Sequence, residues 1–291
     1  MLVTIVGCEK NGTASNKDLQ QNGADSEIRI VSLSPALTRI AVDLGFGDLI
    51  VGRTRFCKSV DLAIPVVGDH FAQDFESLVR VKPTHILIQP PRNEIPSALA
   101  EQAGIQSWTI CSFKIDTLSD IKNVTQQLPG AIFVNDSARL KQANIKASVL
   151  IVAIDEIVIS RKDQPWRGSV LLVHSIEQGI SIFGKATYLD ELLVGLGCTN
   201  AAQSVTGWAQ LTLEDVTRLN PDAILFITST FNSKANSMQA IGVLGELPID
   251  AVTENRIGIL SHADALLPAT SVIEVADEMR ELLNSFAGSD Q

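Results

Sequence analysis

The chain has 291 residues, of which 45% are hydrophobic and 19% charged, and a formal net charge of −10. That acidity argues against nucleic acid as a partner, because a phosphate backbone rewards clustered Lys and Arg. The proportions suit a globular body with one large or two ordinary cores, and the longest apolar run beyond the N-terminus, residues 149–154, falls far short of the ~20 residues that span a bilayer.

In chain order, Ile5-Val6-Gly7-Cys8 comes first and has the form of the end of a bacterial lipoprotein signal, in which the cysteine is lipidated. Only seven residues precede it and none is basic, so residues 1–25 read as a truncated signal and a tether, with Cys8 as the lipidation site and the membrane surface as its partner. Residues 9–26 are polar, rich in Asn, Gly and Ser, and aperiodic, as a tether should be. Cys57, Cys111 and Cys198 show no Cys-x-x-Cys spacing, which points to neither a disulfide framework nor a zinc site.

From residue 26 apolar strands alternate with helical patterns. Arg29–Ser32 reads as a strand, and Ser34-Pro35 supplies an N-cap and a first-turn proline for a helix with Leu37, Ile40, Ala41 and Leu44 on one face, stopped by Gly45. Leu49–Gly52 reads as a second strand, His85–Gln89 as a third, Ile95–Ala103 as a helix closed by Gly104, and Gln106–Cys111 as a fourth strand. Leu140, Ala143, Ala147, Leu150, Ile151, Ile154, Ile157 and Val158 keep a spacing of three or four, predicting one long helix; the β-branched run Val149–Ile154 offers a rival strand. Beyond Trp166-Arg167-Gly168, strands are predicted at Val170–His174 and Ile180–Phe183, and a capped helix at Thr187–Leu196 ended by Gly197.

One stretch returns. Asp74-Phe75-Glu76-Ser77-Leu78-Val79-Arg80-Val81-Lys82-Pro83 with Ile86-Leu87-Ile88 reappears as Thr212-Leu213-Glu214-Asp215-Val216-Thr217-Arg218-Leu219-Asn220-Pro221 with Ile224-Leu225-Phe226. From Glu76 to Glu214, from Arg80 to Arg218 and from Pro83 to Pro221 the step is 138. A helix feeding a buried strand, repeated once at this distance, predicts two similar lobes. The expected fold is therefore α/β: two Rossmann-like lobes with mainly parallel sheets, joined by one long backbone helix, with a ligand cleft between them. Their bounds are 26–115 and 163–291, with 116–162 as the linking segment.

Over most of residues 28–283 the chain resembles the solute receptors of bacterial ABC importers for cobalamin and ferric siderophores. The resemblance is carried by Ile30-Val31-Ser32-Leu33-Ser34-Pro35, Val51-Gly52-Arg53-Thr54-Arg55-Phe56-Cys57, Val67-Gly68, the segment Gly184–Leu193 and Leu196-Gly197-Cys198-Thr199-Asn200. It implies a periplasmic or extracytoplasmic, lipid-anchored monomer with no cofactor, catalytic group or resident metal, which delivers a corrinoid or ferric chelate to a permease dimer. It further implies that Glu76 and Glu214, in the first turns of the repeated helices, dock into arginine pockets on the two permease subunits.

Open α/β sheets bind ligands beyond their carboxyl edges, which nominates Ser34, Arg53, Arg55, Phe56, His70, Gln89 and Arg92 in the first lobe and Lys185, Tyr188, Trp208 and His262 in the second. Phe56 and Trp208 match cleft aromatics of the cobalamin receptors, and flat rings suit a corrinoid face or the apolar surface of a chelate. His70 and Gln89 stand where those receptors have further tryptophans. Arg53, Arg55, Arg92 and Lys185 favour an anionic chelate, and haem is the alternative, with His70 or His262 as axial ligand. His85 and His174 fall in strands and read as structural. An enzyme on a doubly wound fold is the competing class, but no phosphate loop, dinucleotide fingerprint or nucleophile elbow occurs in the chain, leaving Cys57 or Cys111 as the only candidate nucleophiles.

Overall fold

The computed structural model describes residues 27–90, 94–159, 166–230 and 241–287. The expectations for residues 1–25, including Cys8, and for Arg92 lie outside the described residues. The chain divides into two units, one formed by residues up to Ile115 with Asn123–Val149, the other by Asp116–Lys122 and everything from Leu150 onward.

In the first unit β1 (Ile30–Ser32) lies between β2 (Ile50–Gly52) and β3 (His85–Ile88), β4 (Thr109–Ser112) follows β3, and every pairing is parallel. Val31, Leu33, Ile86, Ile88 and Ile110 pack with Val67, Leu78, Leu99 and Trp108. Their neighbours Ile30 and Leu87 are equally buried, as required of a parallel sheet covered on both faces. α1 (Pro35–Asp43) begins as expected, with Ser34 Oγ accepting the Leu37 amide and Pro35 in the first turn, and Gly45 leaves it at φ +90°. After α2 (Phe75–Val81), α3 (Ser97–Gln106) departs from expectation by running through Gly104. Ser107 takes the left-handed end instead, its amide bonded to Ala103 O.

α4 (Leu118–Ile132) was hidden from sequence reading by Pro129-Gly130. The proline sits in the last turn, where it removes one amide and leaves the body of the helix intact. Its start is tied down within the second unit: Leu118 N donates to Glu191 Oε2 at 2.7 Å, and Asp116 N and Thr117 N donate to Asp120 Oδ2. Burial pushes the Glu191 carboxyl above its usual range, with the Asp190 and Asp120 charges adding, against the Leu118 amide and Lys122. A raised acid binds its proton more tightly folded than unfolded, so ionised Glu191 opposes folding at neutral pH, and the opposition fades as pH falls through its raised value. Glu191→Gln, which keeps the acceptor, is expected to gain about 0.5 kcal/mol at pH 7. Denaturant melts at pH 7 and pH 4 check this; a gain that fails to shrink at the lower pH contradicts the assignment.

α5 (Ser137–Ile159) is the long helix predicted around Leu140–Val158, and no strand forms at Val149–Ile154. Ala143, Ala147, Ile154 and Ile157 are buried while Ile145, Val149 and Val152 are exposed, the two faces expected of helical spacing.

In the second unit the order is β10-β9-β5-β6-β8: β10 (Ile257–Ser261), β9 (Ala223–Thr228), β5 (Ser169–Ser175), β6 (Ile180–Phe183) and β8 (Trp208–Leu211), with β7 (Thr199–Asn200) also on β5. β10, β9, β5 and β7 pair in parallel, whereas β6 is antiparallel to both β5 and β8, so this sheet is mixed. Leu171, Val173, Ile182, Val216, Ile224 and Ile257 share its core. α6 (Tyr188–Gly195) is capped by Thr187; α8 (Asp250–Thr253) and α9 (Val272–Phe286) follow α7 (Leu213–Leu219).

The repeat is equivalent in three dimensions. Asp74 accepts from Ser77 N at the start of α2, and Thr212 accepts from Asp215 N at the start of α7, caps worth ~1 kcal/mol each. Both helices end on a left-handed residue, Lys82 at φ +46° and Asn220 at φ +40°, ahead of Pro83 and Pro221. The next side chain then ties the following strand to its neighbour: Thr84 Oγ1 accepts from Arg29 N, and Asp222 Oδ2 from Ser169 N.

Candidate functional site

At the carboxyl edge of the first sheet, β1 and β3 run out into Ser34 and Gln89, and the structure brings these two together. Ser34 Oγ donates to Gln89 Oε1 at 3.2 Å, and Gln89 Nε2 donates to Ile115 O at 3.1 Å. Ser34 is buried and also caps α1, so it shapes the edge and offers no free hydroxyl.

β2 leads into Arg53-Thr54-Arg55-Phe56-Cys57. Arg53, expected at the ligand, is buried and donates to three carbonyls: Nε to Ile64 O at 3.0 Å, Nη1 to Thr54 O at 3.0 Å and Nη2 to Leu62 O at 2.7 Å. It is a stitch for the loop, and the expectation is corrected accordingly. Phe56 N donates to Thr54 Oγ1, and the buried Cys57 thiol lies 3.0 Å from Thr38 Oγ1 and 3.3 Å from Thr54 Oγ1. With its ends held, the loop leaves Phe56 52% exposed, the Arg55 guanidinium 4.7 Å over its ring.

A second loop returns beside it. Asp69 N donates to Ala72 O at 2.8 Å, Asp69 Oδ1 accepts from Phe71 N and Ala72 N, and Gln73 Nε2 donates to Asp69 O. Gly68 opens this turn at φ +99°, where a Cβ would lie 2.2 Å from Ala72 O. Burial raises the Asp69 carboxyl, but the Ala72 and Phe71 amides with the charges of His70 and Arg55 outweigh it and hold the group below its usual range. The turn carries His70 at its tip, its ring centroid 4.0 Å from that of Phe71. Phe71 is 76% exposed and was missed in the sequence; a lone aromatic in an aperiodic loop shows no pattern, and its place beside His70 was the available signal.

In the second unit Lys185 is exposed, its backbone laddered to the segment before β8 through Lys185 N to Val205 O and Gly207 N to Lys185 O. Trp208 opens β8 opposite Phe183 and is 55% exposed. Trp108 and Trp166 are both buried, so of the three tryptophans Trp208 is the one that meets solvent. Tyr188 is corrected: it is 2% exposed, and its hydroxyl donates to Ala265 O at 2.6 Å. Burial pushes its phenol far above the usual range. It serves indirectly by pinning the loop of His262, a half-buried imidazole whose Nδ1 accepts from Asp264 N at 3.1 Å.

Glu76 and Glu214 both stand exposed in the first turns of α2 and α7. Arg80 bonds Glu76 at 2.5 Å, whereas its equivalent Arg218 bonds Asp215. Cys57, Cys111 and Cys198 are buried thiols outside any disulfide among the described residues.

A family model described as periplasmic binding protein matches residues 30–246. The chain is 27% identical over 274 residues to the "Uncharacterized ABC transporter substrate-binding lipoprotein YvrC" of Bacillus subtilis (strain 168), covering 92% of this chain and 83% of that protein. The crystal structure of the periplasmic heme binding protein HutB of Vibrio cholerae superposes with a TM-score of 0.71 at 20% identity, over 89% of this chain and 99% of that one. That of the periplasmic vitamin B12 binding protein BtuF of Vibrio cholerae does so with a TM-score of 0.66 at 19% identity, over 89% and 97%.

Proposed function

Because the chain belongs to the periplasmic binding protein family, we propose that it is the substrate-binding component of an ABC importer and that its guest is a metal chelate with a flat apolar surface, a corrinoid or a ferric siderophore. The observation that carries this reading is an exposed ring in each unit: Phe56 under the Arg55 guanidinium in the first, and Trp208 in the second, where the preceding residue Gly207 is laddered through its backbone to exposed Lys185. Large exposed rings favour contact with a flat guest, and the cations compensate acidic substituents. The protein binds its guest and releases it unchanged.

Haem is the second reading. It is favoured by His70, which the built turn 69–72 displays with an exposed phenyl ring alongside; an imidazole so placed suits axial ligation, and His262 is the equivalent candidate in the second unit. The protein works as a monomer on the outer side of the membrane, held by a lipid on Cys8, and presents Glu76 and Glu214 to the permease. Titration of the purified protein with cyanocobalamin, cobinamide, hemin and a panel of ferric siderophores, read by tryptophan emission, tests the assignment. One of them is expected to quench saturably and to lose that quenching in Trp208→Phe. Conversion of any of these compounds to product, or binding of none, overturns it.

A further inference from the structure

His174 belongs to a strand and, read from sequence, looked unavailable; the structure gives it a more particular place. Along the β5–β6 pair Val173 faces Ile182 and Ser175 faces Ser181. Two steps on β5 thus meet one on β6, and His174 is the extra residue of a β-bulge, a device that re-aims a side chain. The re-aimed imidazole meets Trp208 edge-to-face, with ring centroids 5.5 Å apart and planes at 80°, and lies 6.2 Å from Phe183. Phe183 in turn packs on Trp208 at 4.0 Å. His174 Nδ1 is buried and has no hydrogen-bond partner among the described residues, a costly state for a polar atom that core packing by itself does not call for.

We propose that His174 is a positioning residue: the bulge turns its ring against Trp208 so that, with Phe183, it clamps the one solvent-facing tryptophan in a single orientation, ready for a flat guest. The guest's part in this rests on the reading of Trp208 given above. A ring already held loses little freedom when the guest arrives, which is how preorganisation raises affinity. The contact is made by an aromatic edge, so a phenyl ring should replace it, while an aliphatic side chain of similar bulk should not.

The test is time-resolved fluorescence anisotropy and acrylamide quenching of the full chain without ligand, with the Trp208→Phe variant subtracting Trp108 and Trp166. His174→Ala, and His174→Leu should the alanine variant unfold, are expected to raise the ratio of freely rotating to held Trp208 roughly two- to tenfold, the factor an aromatic pair is worth; His174→Phe is expected to restore it. Unchanged Trp208 mobility in both Ala and Leu variants, or failure of Phe to restore the clamp, overturns the proposal. The ligand arm uses hemin and cyanocobalamin as probes. If Trp208→Ala leaves binding of the probe that binds undiminished, the reading of Trp208 as a ligand contact fails while the clamp stands; if Trp208→Ala weakens it and His174→Leu does not, the positioning role in binding fails alone.

Discussion

Reversing both charges, Glu76→Arg with Glu214→Arg, is expected to bring ligand-dependent stimulation of the reconstituted permease down to background while ligand affinity stays within about twofold of wild type, since neither residue is among those assigned to the guest. Losing one partner of a desolvated, hydrogen-bonded charge pair costs about 2–5 kcal/mol, ~30-fold or more in complex lifetime, and reversal adds repulsion. The folded state should hardly notice. Glu76 bonds Arg80 across one exposed turn, with its side chain 83% accessible, and such a pair is worth ~0.3–0.5 kcal/mol. The caps beneath are independent of the two glutamates: hydrogen bonds from Ser77 hold Asp74, and those from Thr212 hold Asp215, below the usual carboxylate range, so both helix starts keep their charge at neutral pH. Single reversals should differ, because Arg80 must let Glu76 go on docking whereas Arg218 is already turned to Asp215. ATPase and uptake assays in proteoliposomes decide it, and full stimulation by the double variant would remove both residues from the interface.

The repeat was the most legible part of the chain because each of its signals is local. Caps at Asp74 and Thr212, apolar Leu78 and Val216 and the terminal prolines act within ten residues, and the structure reproduces them down to the left-handed Lys82 and Asn220. The antiparallel β6 was also written in the chain but not read: four residues separate β5 from β6, too few for the crossover a parallel partner needs. α4 escaped because Pro129 reads as a breaker, though in a last turn it breaks almost nothing. The site was less legible for a different reason. Arg53 and Arg55 are the same residue type two positions apart, and what separates a loop stitch from an exposed cation is whether the carbonyls of Leu62 and Ile64 return to meet it. Tyr188 poses the same problem, since its role depends on Ala265, 77 residues away. Residue type nominates a site, but distant backbone decides which nominees remain free.

Asp190→Ala is expected to be the most destabilising of the substitutions considered, by about 3 kcal/mol, on the order of 10 °C in Tm. Asp190 is buried in the first turn of α6. Its Oδ2 accepts from Ala186 N at 3.0 Å and its Oδ1 from Asn200 Nδ2 at 2.9 Å. Asn200 is saturated in turn, Nδ2 also donating to Phe183 O at 3.0 Å and Oδ1 accepting from Ala202 N at 2.9 Å. Thr187 closes the knot, donating to Gly184 O while accepting from Asp190 N. Truncation strands one buried amide hydrogen of Asn200 and the backbone N–H of Ala186, a residue held at φ +63° against a left-handed penalty of about 1 kcal/mol or more. Asp190→Asn keeps an acceptor on one side and should fall between wild type and alanine. The consequence reaches the site, since Gly184 and Lys185 are the rungs on which the backbone of Val205 and Gly207, ahead of Trp208, is hung; faster amide exchange at residues 184–188 and 205–208 should accompany the lower melt. A Tm within about 2 °C of wild type, with unchanged exchange at Ala186, would mean that the knot is ornamental and that some other contact holds the edge carrying Lys185 and Trp208.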